Sequence, residues 1–191
     1  MRVVFGGAFN PVTKAHMDVY HFLKEQIDFS EFIFLPVSSA YTKSELASNY
    51  HRLNMLELVT SKFADIEVSK LEIDDSDFLG TYQSLIRLYD KKEDELAFVV
   101  GADNLIKMHK WINIEGILSE FQVIVLGRNG LDIEELIRER EVLDKHRSRF
   151  LVFEDFSRNI SSTTFRETLN KEDVEEEVFD YIHENKLYGV K

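Results

Sequence analysis

The chain has 191 residues, 44% of them apolar, with 23 Lys+Arg against 35 Asp+Glu and a net charge of −12. That length buries a sizeable core and is expected to form one domain, and the acidic balance argues against general binding to nucleic acid or an anionic membrane, so any phosphate site must be local. There is no cysteine, which excludes disulfides, zinc–thiolate sites and a cysteine nucleophile; the absence of a signal segment or bilayer-length apolar run makes the cytoplasm the expected location.

In chain order, Arg2–Phe5 reads as a buried strand that ends in Gly6-Gly7. Ala15, Val19, Phe22 and Leu23 then recur on one face of a helix. Phe32–Val37 is a second strand, and the polar stretch Ser38–Asn49 a loop. Leu53, Leu56, Val59 and Phe63 form another helical stripe, followed by a short strand at Ile66–Val68. Tyr82–Tyr89 reads as a helix. Leu96–Val100, ending at Gly101, and Phe121–Leu126, ending at Gly127, are continuous apolar strands. Asp132–Leu143 reads as one charged helix, Phe150–Phe153 as the last strand, and Thr164–Leu169 with Val174–Ile182 as closing helices. No repeat or Pro/Gly-rich linker interrupts the series. Strands alternating with helices through short connections predict an α/β protein, a doubly wound parallel sheet with helices on both faces. Ligands of such sheets sit beyond the carboxyl ends of the strands, which directs attention to the loops after Phe5, Val37, Val100, Leu126 and Phe153.

Two helix starts carry the wrong charge. A helix N-terminus is electropositive and favours acidic side chains. Here Lys14 and His16 occupy the first turn after Gly6-Gly7, and Arg166 follows the capping serines Ser161 and Ser162 by one turn or so. Basic groups, hydroxyls and unpaired N–H groups make sense together around a bound phosphate. Neither the phosphate-loop pattern nor the dinucleotide glycine fingerprint is present. Taken singly, Gly-Gly is a turn, Ser-Ser-Thr a cap, and a lone histidine a surface or core residue. Their joint occurrence in one parallel α/β chain points to a phosphate cradle.

The stretch Gly6-Gly7-Ala8-Phe9-Asn10-Pro11-Val12-Thr13-Lys14-Ala15-His16 resembles the Thr/His-x-Gly-His signature of the nucleotidylyltransferase superfamily. Ile160-Ser161-Ser162-Thr163-Thr164-Phe165-Arg166 looks like its second signature. Within the superfamily the chain is most similar to the nicotinate/nicotinamide mononucleotide adenylyltransferases. Gly101-Ala102-Asp103, Trp111, the segment Arg52–Leu56, read as a substrate-side helix, and the ending Leu187-Tyr188 extend the likeness over nearly the whole chain. It departs at Ala15, where the signature has glycine, and at Thr13, where many bacterial members have histidine. It also departs at Thr81-Tyr82-Gln83, where they have Ser-Tyr-Thr.

The resemblance implies a single, Rossmann-like domain over residues 1–191, with C-terminal helices at 162–185 packed on it. It implies adenylyl transfer from ATP to nicotinate mononucleotide, yielding nicotinate adenine dinucleotide (NaAD) and pyrophosphate, with Mg²⁺ accompanying ATP. His16, Thr13 and Arg166 would be the catalytic set. Gly7, Ala8, Phe9, Thr13 and His16 would hold ATP at one end. Ser161, Ser162, Thr163 and Arg166 would hold the β- and γ-phosphates, and Gly101 and Asp103 the adenosine ribose. Lys43, Tyr82, Gln83 and Trp111 would contact the mononucleotide, with Trp111 stacked on the pyridine ring. The partners are small molecules, not nucleic acid or membrane, and a homo-oligomer is compatible with the sequence. Three alternatives compete: preference for the nicotinamide mononucleotide or dual specificity, adenylyl transfer to phosphopantetheine, and a nucleotide-binding regulator without catalysis. Thr13 allows the phosphopantetheine reading, but Trp111 and the full-length likeness oppose it. Ala15 is the one hint of a regulator, and His16 and Arg166 oppose that.

Overall fold

A computed structural model of the chain describes residues 1–39, 46–75, 80–91, 94–128, 130–156, 158 and 160–190. Six strands, β1 (Arg2–Gly7), β2 (Glu31–Pro36), β3 (Ile66–Val68), β4 (Leu96–Gly101), β5 (Gln122–Leu126) and β6 (Phe150–Phe153), form one sheet in the order β3-β2-β1-β4-β5-β6. This is the doubly wound order, in which the chain starts at the centre and winds outward in both directions. Among the described residues no helix is long and apolar enough to cross a membrane.

The chain groups into two compact units. The first comprises Met1–Gly6 with Phe78–Arg158. Here β1 pairs parallel with β4 (Val3 opposite Ala97), β4 with β5 (Val99 opposite Ile124) and β5 with β6 (Ile124 opposite Leu151). Val3, Val4, Ala97, Val99, Val123, Ile124 and Val125 are all essentially inaccessible. That is why these strands read as unbroken apolar runs: a parallel strand covered on both faces has no solvent side to mark with polar residues. The helices of this unit are α3 (Thr81–Lys91), α4 (Ala102–Met108), α5 (Ile114–Glu120), α6 (Ile133–Arg138) and α7 (Glu141–Lys145).

The second unit comprises Gly7–Asp77 with Asn159–Lys191. It holds β2 and β3, paired parallel with Ile33 opposite Glu67, and the helices α1 (Lys14–Gln26), α2 (Asn49–Thr60), α8 (Ser162–Thr168) and α9 (Glu176–Glu184). Phe32, Ile33, Phe34, Leu23, Met55, Leu56, Phe165, Val178 and Ile182 fill its core.

Three departures from the sequence reading have physical causes. β1 runs through both glycines to Gly7, whose carbonyl accepts from the Val37 N–H at 3.0 Å, so the strand outlasts its apolar run. Helices α4 and α5 have only seven residues each, and each buries only three, which is too short a stripe to stand out. The single charged helix expected over Asp132–Leu143 is two helices. Ile133 and Ile137 are buried on one face, but its next positions carry Arg140, Glu141 and Asp144. An extended Arg140 (φ −123°, ψ 102°) breaks the helix, and Leu143 enters the core from α7 instead.

Gly127, just after β5, donates its N–H to Phe153 O at 2.8 Å, and a Cβ there would lie 2.2 Å from Glu154 O. That neighbour is backbone and cannot swing aside. Gly127→Ala is expected to destabilise the protein by about 2–3 kcal/mol, the scale of overpacking, measured as a lowered urea midpoint.

Candidate active site

The loop from β1 to α1 belongs to the second unit, and its carbonyl groups are nearly all accounted for. Gly7 O accepts from the Val37 N–H at 3.0 Å and Ala8 O from Arg52 Nη1 at 2.7 Å. Asn10 O accepts from Arg166 Nη1 at 2.6 Å, and Pro11 O from Ser162 Oγ at 2.8 Å. In a trans peptide the N–H points opposite to the C=O. Turning the Gly7 and Ala8 carbonyls toward Val37 and Arg52 therefore directs the Ala8 and Phe9 N–H groups the other way. Two successive N–H groups that converge on one point can bind an anion. The Asn10–Pro11 peptide is cis.

Phe9 anchors this loop. It is 1% exposed at φ 45°, with its ring edge-on to Phe34 and to His16 at centroid distances of 5.4 and 5.1 Å. A Cβ on Gly7 would sit 3.1 Å from that ring, so the glycine makes room for the anchor. Phe9 therefore contributes backbone and packing to the loop, while its side chain is in the core.

His16 occupies the third position of α1, where a capping box normally places Glu or Gln. The Thr13 N–H donates to His16 Nδ1 at 2.9 Å. A backbone N–H can only donate, so Nδ1 accepts and the ring proton sits on Nε2. The Thr13 hydroxyl, 2.9 Å from the same nitrogen, then donates to it as well. Thr13 is 1% exposed, and its hydroxyl is engaged on the imidazole. The basic residue at the helix start is thus a neutral acceptor on its inner edge and an N–H donor on its outer edge. A Glu in this place would cap equally well but would repel a phosphate.

At the start of α8, Ser161 is the cap, accepting from the Thr164 N–H at 3.1 Å. Ser162 spends its hydroxyl on Pro11 O. Thr163 Oγ1 accepts from Arg166 Nη2 at 3.2 Å. Arg166 is half-buried and held by bonds from both terminal nitrogens, one to the loop and one to its own helix. A guanidinium has five N–H donors, so three remain to meet a ligand.

In the first unit, Gly101 caps α4 and Asp103 lies in its first turn. A Cβ on Gly101 would stand 2.6 Å from Asp103 Oδ1, which the glycine thereby allows to fold back. That oxygen is buried without a hydrogen-bond partner, with Arg128 Nη1 3.7 Å away. Trp111 is partly exposed, its ring edge-on to Phe98 at 6.1 Å. Gln83 is exposed on α3. The Tyr82 hydroxyl donates to Glu120 Oε1 at 2.6 Å, and that bond holds its pKa above the usual phenol value. Lys43 lies outside the described residues. Among the described residues no group of three His, Asp or Glu side chains is placed to hold a metal ion.

Arg52, Asn10 and Tyr188 were not singled out as site residues from the sequence. Arg52 is 0% exposed and donates to Ala8 O, Val37 O and Asn49 Oδ1 at 2.7, 2.7 and 2.6 Å, and to Ala47 O at 3.2 Å. Burial pulls its pKa down from the ordinary arginine value. It stands behind the loop and cannot touch a substrate, although its segment reads as substrate-facing. The one sequence signal was a lone arginine among the apolar positions of its stripe.

The cytidylyltransferase-like family model matches residues 4–168. A probable nicotinate-nucleotide adenylyltransferase of Acholeplasma laidlawii is 32% identical over 191 residues, covering 98% of this chain and 97% of that one. Another, of Carboxydothermus hydrogenoformans, is 31% identical, with 97% and 96% covered. The solved structure of Plasmodium falciparum nicotinic acid mononucleotide adenylyltransferase complexed with NaAD matches with a TM-score of 0.80 at 21% identity, over 100% of this chain and 98% of that one, and so shares the fold. The chain belongs to the cytidylyltransferase-like family and, within it, to the nicotinate-nucleotide adenylyltransferases.

Arg52→Leu takes this donor from the Ala8, Val37 and Ala47 carbonyls and leaves Asn49 Oδ1 with the Ser39 N–H. Each buried acceptor so stranded costs about 1–3 kcal/mol, and the total loss is expected to exceed roughly 3 kcal/mol. Urea unfolding of the variant measures it; a wild-type midpoint would show that Arg52 does not hold the loop.

Proposed function

We propose that this chain transfers the adenylyl group of ATP to nicotinate mononucleotide, forming NaAD and releasing pyrophosphate in NAD biosynthesis. A 5′-phosphate oxygen of the mononucleotide attacks the α-phosphorus, and the bond from that phosphorus to the bridging oxygen of the pyrophosphate breaks. The nucleophile is already an anion at neutral pH, since the second pKa of a phosphate monoester is about 6, so no general base is required. The side chains have only to position the reactants and stabilise charge.

The observation that carries this reading is the His16 imidazole at the start of α1, whose Nδ1 accepts from Thr13 so that its ring proton sits on Nε2. His16 donates to the α-phosphate as charge builds there, and Thr13 acts through His16. The Ala8 and Phe9 N–H groups hold phosphate oxygens, with Gly7 giving the close approach. Arg166, with Thr163 beside it and Ser161 and Ser162 shaping the helix start, holds the β- and γ-phosphates. Asp103, with Gly101 beneath it, takes the adenosine ribose. Trp111 stacks on the pyridine ring, with Tyr82 and Gln83 on the ring-substituent side and Lys43 on the mononucleotide phosphate. Mg²⁺ enters as part of the MgATP substrate, held by phosphates and water, in keeping with a site of donors rather than carboxylates. The enzyme works in the cytoplasm on small molecules, as one nucleotidyltransferase domain with its C-terminal helices packed on it.

His16→Ala removes one donor to the developing charge and is expected to lower kcat about a hundredfold with the melting temperature nearly unchanged. Retention of more than about a third of wild-type kcat, an effect far below that scale, would sink the assignment.

Stacking by Trp111 cannot separate a carboxylate from an amide, because both rings present the same face. A carboxylate only accepts hydrogen bonds, whereas an amide also donates. Gln83 carries both a donor and an acceptor, which softens the penalty on the amide. Both mononucleotides are expected to turn over, with nicotinate preferred roughly tenfold in kcat/KM, about 1.4 kcal/mol. Competition in one tube, with the ratio of the two dinucleotides as readout, decides it; an excess of NAD over NaAD would overturn the preference.

A further inference from the structure

We propose that Tyr188, four residues from the C-terminus, is a positioning residue of the phosphate site, acting through Asn10 on Arg166. The inference rests on the reading of Arg166 as the ligand of the ATP phosphates.

Asn10 is 1% exposed, and its side-chain Oδ1 takes two bonds. The Ala47 N–H donates to it at 3.0 Å, and because a backbone N–H has no other role, the amide orientation is settled. The Tyr188 hydroxyl, 2.9 Å from the same oxygen, must therefore be a donor. On its main-chain side the same residue accepts Arg166 Nη1 at 2.6 Å. Tyr188 and Arg166 thus grip Asn10 by its two oxygens. The tyrosine ring also stands edge-on to Phe165, the neighbour of Arg166 in α8, at 6.3 Å and 89°. One side chain fixes both the residue Arg166 leans on and the helix that carries it.

Two further observations fit this role. Tyr188 adopts φ 56° and ψ 29°, a left-handed conformation costly for a residue with a Cβ and sustained where the surroundings hold it. Burial raises its pKa, against the opposing charges of Arg166 and Arg52, so the hydroxyl keeps its proton and remains a donor at any physiological pH. Asn10 Nδ2 meanwhile is buried without a partner. The amide is therefore held by its oxygen alone, which makes the Tyr188 and Ala47 bonds decisive for its orientation.

Tyr188→Phe deletes the hydroxyl and keeps the ring. Binding of MgATP, measured by calorimetry without mononucleotide, is expected to weaken about fivefold, the worth of one hydrogen bond. The KM for nicotinate mononucleotide should hold, and the melting temperature should stay within a few degrees. Arg166→Ala should weaken ATP by more, and adding Tyr188→Phe to it should cost nothing further, because the tyrosine acts through that arginine. An ATP affinity within about twofold of wild type, full additivity with Arg166→Ala, or loss of the fold would each overturn the inference, the last because the hydroxyl would then hold the chain and not the site. Wild-type ATP affinity in Arg166→Ala would instead sink the reading of Arg166. A wild-type enzyme that binds ATP but makes no NaAD would sink the proposed function while leaving the Tyr188 result standing.

Discussion

The site depends on the direction in which a few carbonyl groups point. In the proposed site the loop after β1 meets a polyphosphate with N–H groups, and every peptide that offers an N–H outward must hide a C=O inward. Buried carbonyls without donors are costly. Donors from Val37, Arg52 and Ser162 meet that requirement at residues 7, 8 and 11, while Arg166 satisfies the Asn10 carbonyl, whose peptide with Pro11 carries no N–H. The side chains behind the loop thus hold its carbonyls and set the direction of its N–H groups. An arginine is the economical choice for the Ala8 position, since one planar fork also reaches Val37, Ala47 and Asn49 and so fastens the loop to the end of β2 and the start of α2.

The same logic explains the histidine at the start of α1. Capping needs an acceptor on the protein side, and the role proposed for His16 needs a donor on the ligand side. A carboxylate supplies only the first and adds the wrong charge. A neutral imidazole supplies both from opposite nitrogens, and Thr13 assigns which is which. What looked like a basic residue against the helix dipole is a capping residue that is uncharged in this tautomer.

Much of the fold was legible because burial on both faces leaves an unmistakable apolar run. Each of the six strands could be read within about two residues of its ends. Helices α4 and α5 escaped because seven residues hold too little periodicity, and the α6–α7 break because it depends on where Leu143 finds the core. In the candidate site, the histidine and the arginine at helix starts stood out in the sequence because they are chemically out of place unless something anionic joins them. The long-range bonds that hold the loop were not legible. Arg52, Arg166 and Tyr188 reach carbonyl or amide oxygens 44, 156 and 178 positions away, partnerships that only the folded chain defines. The bond from the Thr13 hydroxyl to His16 was equally hidden, since it is a matter of rotamer and not of residue type.

There remains the contrast between a chain of net charge −12 and a polyanionic substrate. Whole-protein repulsion falls off over a Debye length, about 8 Å at physiological ionic strength. Exposed carboxylates farther than that from the loop barely act on a phosphate seated there. Close to the loop stand the Arg166 guanidinium and the charge of Arg52, which solvent screens little because no part of it is exposed. An acidic surface is unfavourable to a long phosphate backbone that would have to lie along it. A short, flexible triphosphate needs only the few ångströms that the loop and the two helix starts provide.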